Sequence, residues 1–141
     1  MNTQLKQKIF EVTYKIYFAQ TDAAGVVHHS EYLRLLEAAR IDFLDHIECN
    51  YSHLQAQKIG FSPIHIDINY IRPLKFGDHA VIESQFINIK NASLMINSKI
   101  NNQNNECCTR ATVKLACLDE LNWKIRKIPT ILIESLAQFE L

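Results

Sequence analysis

Hydrophobic and polar residues alternate along several stretches of the chain, with the period of two that is typical of half-buried β-strands. In the first of these, residues 11–18, one face carries Val12, Tyr14, Ile16 and Phe18. The opposite face is mostly polar or charged. The pattern therefore predicts a first strand over residues 11–18 that turns its apolar face toward a core.

The next stretch, residues 31–47, changes to helical spacing. Its apolar positions cover an unusually wide part of the helix surface: Tyr32, Leu33, Leu35, Leu36, Ala38, Ala39, Ile41, Phe43, Leu44 and Ile47. Such a helix needs cover on most of its sides. Ser30, immediately before it, has a side chain suited to capping the helix start.

Alternation then returns and continues to the C-terminal region. The pattern predicts strands over residues 64–70, 80–90, 92–101 and 107–118, a turn over 72–78, a hairpin tip over 101–105 and a terminal helix over 130–139. One strand, one long helix and a run of hairpins indicate an α+β fold in which an antiparallel sheet wraps around the helix. An exposed edge strand in such a sheet favours pairing across a two-fold axis, so we expect at least a dimer.

Composition limits the number of domains, the partners and the location that we expect. A length of 141 residues with 48% hydrophobic content predicts one domain over 1–141. Lysine plus arginine equal aspartate plus glutamate at 15 each, which argues against nucleic acid as a partner. The sequence shows no secretory signal pattern and no apolar run of about 20 residues that would span a membrane. Its four cysteines form no C-x-x-C pair, so we expect a cytoplasmic protein with reduced thiols.

Candidate chemistry is concentrated between the first strand and the long helix, where residues 20–32 read QTDAAGVVHHSEY. The carboxylate of Asp22 precedes a helix start, whose unpaired backbone N–H groups can polarise a carbonyl oxygen. An acid beside such donors suggests hydrolysis. Aspartate also forms turns through its own backbone, so Asp22 has a purely structural alternative. Gly25 fits a left-handed or crowded backbone position.

The segment resembles the hotdog-fold acyl-CoA thioesterases of the 4-hydroxybenzoyl-CoA thioesterase type, and the likeness extends along the whole chain. The helix-start motif of that family is matched here by Asp22, Gly25, Val27, His29 and Tyr32. A second family feature, a strand that ends in an aromatic residue and is followed by proline and Gly-Asp, is matched by Tyr70, Pro73, Gly77 and Asp78.

The resemblance implies that Asp22 is the catalytic carboxylate, either as nucleophile or as general base, and that the His29 N–H donates to the thioester oxygen. The His29 side chain either acts directly or only lines the pocket, and His28 is expected to line it. A second donor is implied near Phe61 or Ser62, in the loop before the second strand of a neighbouring subunit. The site would then lie at a dimer interface, and relatives suggest a tetramer of two dimers.

The implied substrate is an acyl-CoA, with an aromatic or an aliphatic acyl group, and no cofactor or metal is needed. Lys90 lies where relatives place a larger basic cluster for the coenzyme's phosphates. Two alternatives stay open at this point. One is a hydratase or dehydratase acting on acyl thioesters in the same fold, and the other is a non-catalytic protein that binds an acyl thioester.

Overall fold

The computed structural model describes residues 8–140 of the chain, and both helices and strands are present. The helices are α1 (His29–His46), α2 (Tyr51–Ala56) and α3 (Thr130–Phe139), and a 3-10 turn covers Phe18–Gln20. The strands are β1 (Phe10–Lys15), β2 (Ile59–Tyr70), β3 (His79–Ile87), β4 (Ser93–Asn101), β5 (Cys107–Asp119) and β6 (Lys124–Ile125). The predicted α+β class is confirmed, and the terminal helix has the predicted bounds.

The strands form one antiparallel sheet in the order β1-β3-β4-β5-β2, and the short β6 pairs with the end of β5. Hairpins connect β3 to β4 and β4 to β5, so these strands are neighbours in both sequence and space. The two ends of the sheet are β1 and β2, each of which pairs along one side. Among the described residues, no helix is both long enough and apolar enough to cross a membrane.

One face of α1 packs against the sheet and forms part of the hydrophobic core. The buried members of the helix recur with helical spacing: Tyr32, Leu35, Leu36, Ala39, Phe43 and Leu44. They pack into two clusters that include residues from the inner faces of β3, β4 and β5 and from the segments around them. Leu33, in contrast, is 39% exposed. The single chain therefore covers only part of the wide apolar surface that the sequence indicates.

The prediction that the first strand includes Phe18 is wrong. Alternation holds through Ile16, which is fully buried, but β1 ends at Lys15. Beyond it the side chain of Gln20 accepts a hydrogen bond from the Tyr17 N–H at 2.8 Å and closes a 3-10 turn. This local bonding turns the Phe18 side chain out, where it is 73% exposed.

The second strand begins earlier than predicted, at Ile59, so Gly60 lies in β2 and not in a loop. A β-carbon on Gly60 would require the Glu120 side chain to move, because its carboxylate lies against that position. The short helix α2, which was not predicted, precedes this strand, and its N-cap is Asn50, whose side chain accepts from the N–H groups of Ser52 and His53.

The cysteines are free thiols, and three of them, Cys49, Cys108 and Cys117, are buried, so that desolvation raises the pKa of each. Cys107 is partly exposed. We therefore expect one thiol per folded chain to react rapidly with DTNB at neutral pH, with the other three reacting only after denaturation. Cys107→Ser should abolish the rapid phase. Rapid labelling of a second thiol in native Cys107→Ser would contradict the buried assignment.

Candidate active site

The Asp22 carboxylate both builds a turn and keeps one oxygen available. Its Oδ1 accepts hydrogen bonds from the N–H groups of Ala24 at 2.8 Å and Val26 at 3.4 Å. Its backbone carbonyl accepts from the Gly25 N–H at 3.0 Å. Within residues 8–140, Oδ2 has no hydrogen-bond partner, and the side chain is exposed. The turn-forming and the chemical interpretations of this aspartate are therefore compatible.

Gly25 lies at the corner of this turn with φ of +80°. A β-carbon there would meet no atom within 4 Å. Of the two reasons considered for the glycine, backbone conformation thus applies and crowding does not.

Backbone hydrogen bonds hold the turn to the loop between β2 and β3. The Val27 N–H donates to the Leu74 carbonyl at 2.8 Å, and the Phe76 N–H donates to the Gly25 carbonyl at 3.2 Å. A bridge between Thr21 and Val27 closes the base of the turn. Two backbone segments therefore fix the position of the carboxylate, independently of the side chains around it.

Helix α1 begins earlier than predicted, and its cap is His28, not Ser30. The Nδ1 atom of His28 accepts from the Ser30 N–H at 3.3 Å and lies 2.8 Å from the Ser30 hydroxyl. An imidazole nitrogen that accepts an N–H carries no proton itself, so this cap favours the tautomer protonated at Nε2. Ser30 fails as the cap because it already lies within the first helical turn.

The capped helix leaves the His29 N–H without an acceptor in the described part of the chain. His29 is the first helical residue, and such an N–H has no partner within its own helix. The carbonyl of the same residue accepts from the Tyr70 hydroxyl at 3.1 Å, which ties the helix start to the end of β2. This N–H is thus available to a ligand and held in a defined direction.

The two histidine rings lie against each other, with centroids 4.2 Å apart, and both residues are exposed. Neither imidazole is hydrogen-bonded to Asp22 in the described chain. The ladder that links Gln20 to His28 and Thr21 to Val27 lies between the aspartate and His29. The same short backbone ladder therefore holds both the Asp22 carboxylate and the start of α1.

Phe61 and Ser62 lie inside β2, opposite Cys117 and Ala116, and not in the expected loop. The Cys117 N–H donates to the Ala92 carbonyl, so the Cys117 backbone points away from β2. In an antiparallel pair of strands, the backbone N–H groups of two opposite residues either both point toward the other strand or both point away from it. The Phe61 N–H therefore points to the open edge of β2, whereas the Ser62 N–H faces β5.

Phe61 does not reach the helix start of its own chain. Tyr70 contacts His29 from one end of β2, and Phe61 lies nine residues away toward the other end, a distance of about 30 Å along an extended strand. Its side chain is buried in the core. Any contribution of its N–H to a site at His29 must come from another copy of the chain.

The same reasoning applies to Lys90. The N-terminal end of β3 lies next to the Asp22 turn, because Asp78 accepts from the Ile16 N–H and the Phe76 N–H bonds to Gly25. Lys90 follows the opposite end of that strand, which is about 26 Å long. The lysine is exposed but remote from the turn within one subunit.

No group of three or more histidine, cysteine, aspartate or glutamate side chains in the described chain is arranged to hold a metal ion. A small apolar cavity lies within the core between α1 and the sheet, lined by Arg40, Tyr51, Phe61 and Leu132 among others. Desolvation there lowers the pKa of Arg40, an effect that the charge of Glu37 opposes. This cavity is separate from the Asp22 turn.

The matches to known proteins cover most of the chain. Residues 16–137 match the thioesterase-like superfamily. The acyl-CoA thioester hydrolase YbgC of Escherichia coli O6:H1 is 29% identical over 138 residues, which cover 98% of this chain and 100% of that protein. The acyl-CoA thioesterase YbgC of Haemophilus influenzae is 30% identical over 111 residues, covering 78% and 81% respectively.

A solved structure agrees in fold. Slr0204, a 1,4-dihydroxy-2-naphthoyl-CoA thioesterase from Synechocystis, superposes with a TM-score of 0.86 at 17% identity, covering 95% of this chain and 99% of that one. The antiparallel sheet around one long helix is thus the hotdog fold, and the class of protein is a thioester hydrolase. The chain belongs to the thioesterase-like superfamily. The family resemblance drawn from the helix-start motif is confirmed.

Proposed function

We propose that the protein hydrolyses acyl-CoA thioesters at the turn that carries Asp22. The observation that supports this most directly is that one short ladder carries a carboxylate oxygen without a hydrogen-bond partner at one end and a helix-start N–H without an acceptor at the other, within the described residues. The substrate class rests on two relatives that are named as an acyl-CoA thioester hydrolase and an acyl-CoA thioesterase. A thioester carbonyl needs only these two kinds of group to react.

In the proposed reaction, the carbonyl oxygen of the thioester accepts hydrogen bonds from the His29 N–H and from Phe61 of the partner subunit. The outward direction of the Phe61 N–H supports this residue over Ser62 as the second donor. Such donors stabilise the negative charge that develops on oxygen as the tetrahedral intermediate forms, and losing one typically costs about a hundred- to a thousand-fold in rate.

Asp22 then has two possible roles. As a nucleophile, its free oxygen bonds to the carbonyl carbon, the carbon–sulfur bond breaks, and water later hydrolyses the acyl-aspartyl anhydride. As a general base, it takes a proton from water, which attacks the carbon directly while the thiolate of coenzyme A leaves. His29 and His28 line the entrance in either scheme, and Gly25 maintains the turn.

The proposed assembly is a dimer formed along the open edge of β2, with a tetramer of two such dimers as the complete molecule. Alternation places the N–H groups of Ile66, Ile68 and Tyr70 on this edge together with that of Phe61. Antiparallel pairing of two copies about the strand centre would place Phe61 of one subunit near Tyr70, and hence His29, of the other. We also propose a single domain over 1–141 and a cytoplasmic location.

The test is a thiol-release assay with a panel of aromatic and aliphatic acyl-CoAs. We expect at least one to yield stoichiometric free coenzyme A and carboxylic acid without added metal. Absorbance of a conjugated double bond, followed in parallel with enoyl substrates, separates hydration from hydrolysis. Binding of several acyl-CoAs without thiol release from any of them would contradict the proposal and favour a non-catalytic binder.

A further inference from the structure

Two exposed phenylalanines form a pair beside the Asp22 turn. The rings of Phe18 and Phe76 meet edge to face, with centroids 5.8 Å apart. The residues are 73% and 58% exposed, and neither belongs to the core clusters. A large aromatic surface kept in water at a defined position is typical of a ligand or partner contact.

Both rings are attached to the active-site turn through its backbone. The Phe18 carbonyl accepts from the Thr21 N–H at 3.0 Å and from the Thr21 hydroxyl at 2.7 Å. The Phe76 N–H donates to the Gly25 carbonyl. One ring thus precedes Asp22 on its own segment and the other lies on the loop that supports the turn, so the pair is fixed relative to the carboxylate.

Two lysines lie close to this pair along the chain. The Lys15 Nζ lies 5.8 Å from the centre of the exposed Tyr17 ring, and Lys75 immediately precedes Phe76 in the supporting loop. Neither lysine forms a salt bridge within the described chain. The nearby acid, Asp78, has its carboxylate engaged by the Lys75 N–H and the Gln103 side-chain amide, each within 2.9 Å.

We propose that this surface, the aromatic platform of Phe18 and Phe76 with Lys15 and Lys75, binds the adenine nucleotide portion of the coenzyme A substrate. Stacking of a base on an aromatic ring and attraction of phosphates to lysine are the two interactions by which proteins hold a nucleotide without sequence readout. Adenine packs on the exposed ring faces, and the lysines neutralise the phosphates. This inference rests on the proposed function.

The placement has a physical reason. A thioester whose carbonyl lies at the helix start must lead its pantetheine arm and nucleotide out over the surface beside the turn. The platform lies on that surface within the same subunit. Attractions between phosphates and exposed lysines weaken with salt, so we also expect KM for acyl-CoA to rise with ionic strength.

The first test compares two substrates that share an acyl group: the acyl-CoA and the same acyl thioester of N-acetylcysteamine, which has no nucleotide. We expect the double variant F18A/F76A to raise KM for the acyl-CoA by about ten-fold or more, from the stacking lost, with kcat unchanged. Hydrolysis of the short thioester should be unaffected. K15A/K75A should reproduce the selective effect and abolish the salt dependence.

Trp123→Ala is the matched control, because Trp123 is 72% exposed, close to the value for Phe18, and lies in the turn between β5 and β6. It should leave both substrates unchanged. Adenosine 3′,5′-bisphosphate serves as a direct probe: wild-type protein should bind it in calorimetry, and F18A/F76A should bind about ten-fold more weakly. Circular dichroism and sedimentation check that each variant keeps its fold and its assembly.

Three results would overturn the platform. Equal loss on both substrates would show that the rings shape the turn, and no loss on either would place the nucleotide elsewhere. A change in oligomeric mass in F18A/F76A would show that the pair contacts another subunit. Failure of the proposed function is distinguishable, because wild-type protein would then release no thiol from either thioester while calorimetry with the bisphosphate still reports on the platform.

Discussion

Asp22→Asn is expected to lower kcat for thioester hydrolysis by about a hundred- to ten-thousand-fold, the range associated with loss of a positioned acid or base. Asparagine retains an oxygen that accepts from the Ala24 and Val26 N–H groups, as Oδ1 does now. The turn should therefore persist while the charge and the nucleophilic oxygen are lost. The measurement is thiol release under saturating acyl-CoA, together with a thermal melt of the variant.

Asp119→Asn is the matched control for this substitution. The Asp119 side chain also forms a turn, since its Oδ1 accepts from the Leu121 N–H at 2.9 Å, but the turn lies between β5 and β6. Its kcat should equal that of the wild type. Unchanged turnover in Asp22→Asn would remove the carboxylate from the chemistry and leave Asp22 as a turn former only.

A single-turnover experiment in H₂¹⁸O, with excess enzyme, separates the two roles of Asp22. Direct attack by water places the label only in the released acid. A covalent acyl-aspartyl intermediate whose aspartyl carbonyl is attacked leaves label in the protein, which mass spectrometry of the peptide containing Asp22 detects.

Ile66→Pro is expected to produce a monomer with at least a hundred-fold lower kcat, the loss that follows from removing one oxyanion donor. The Ile66 N–H points to the open edge of β2, so proline removes no hydrogen bond between β2 and β5. It does remove a donor that the partner strand needs. In a monomer, the Phe61 N–H of the partner subunit is absent and cannot donate to the thioester oxygen at His29.

Ile66→Ala is the control, because it shortens the same side chain and keeps the N–H. Sedimentation should show this variant as an oligomer with turnover close to that of the wild type. A monomeric Ile66→Pro with full activity would show that one chain holds a complete site. An oligomeric Ile66→Pro would show that subunits associate through another surface.

Periodicity located most of the secondary structure because burial on one face requires apolar residues at a fixed spacing. It succeeded for β3, β4, β5 and α3, whose faces are covered within the chain. It was wrong at Phe18. The alternation of apolar and polar residues continues to this position, but the strand has already ended, because the Gln20 side chain accepts from the Tyr17 N–H. Periodicity also missed α2, a helix of six residues with only Leu54 buried, too short to show a helical period.

For the candidate site, too, the sequence predicted some features and missed others. Asp22 and Gly25 suit a turn and a left-handed backbone position by residue type, whereas the role of His29 came from the family resemblance and stays a prediction. The motif did not identify His28 as the cap, since histidine is an unusual one, and it left Phe61 and Ser62 equivalent. The direction of a backbone N–H depends on which residues pair across the sheet, and local sequence does not encode that.

The sequence by itself determined the α+β class, the central helix and the residues of the carboxylate turn, because all of these follow from contacts between near neighbours or from one-sided burial. Only the tertiary structure decided that Phe61 and Lys90 lie far from Asp22 within one chain, and that Phe18 meets Phe76 beside the turn. Each of these depends on strand order and register, which bring together segments that are distant along the chain.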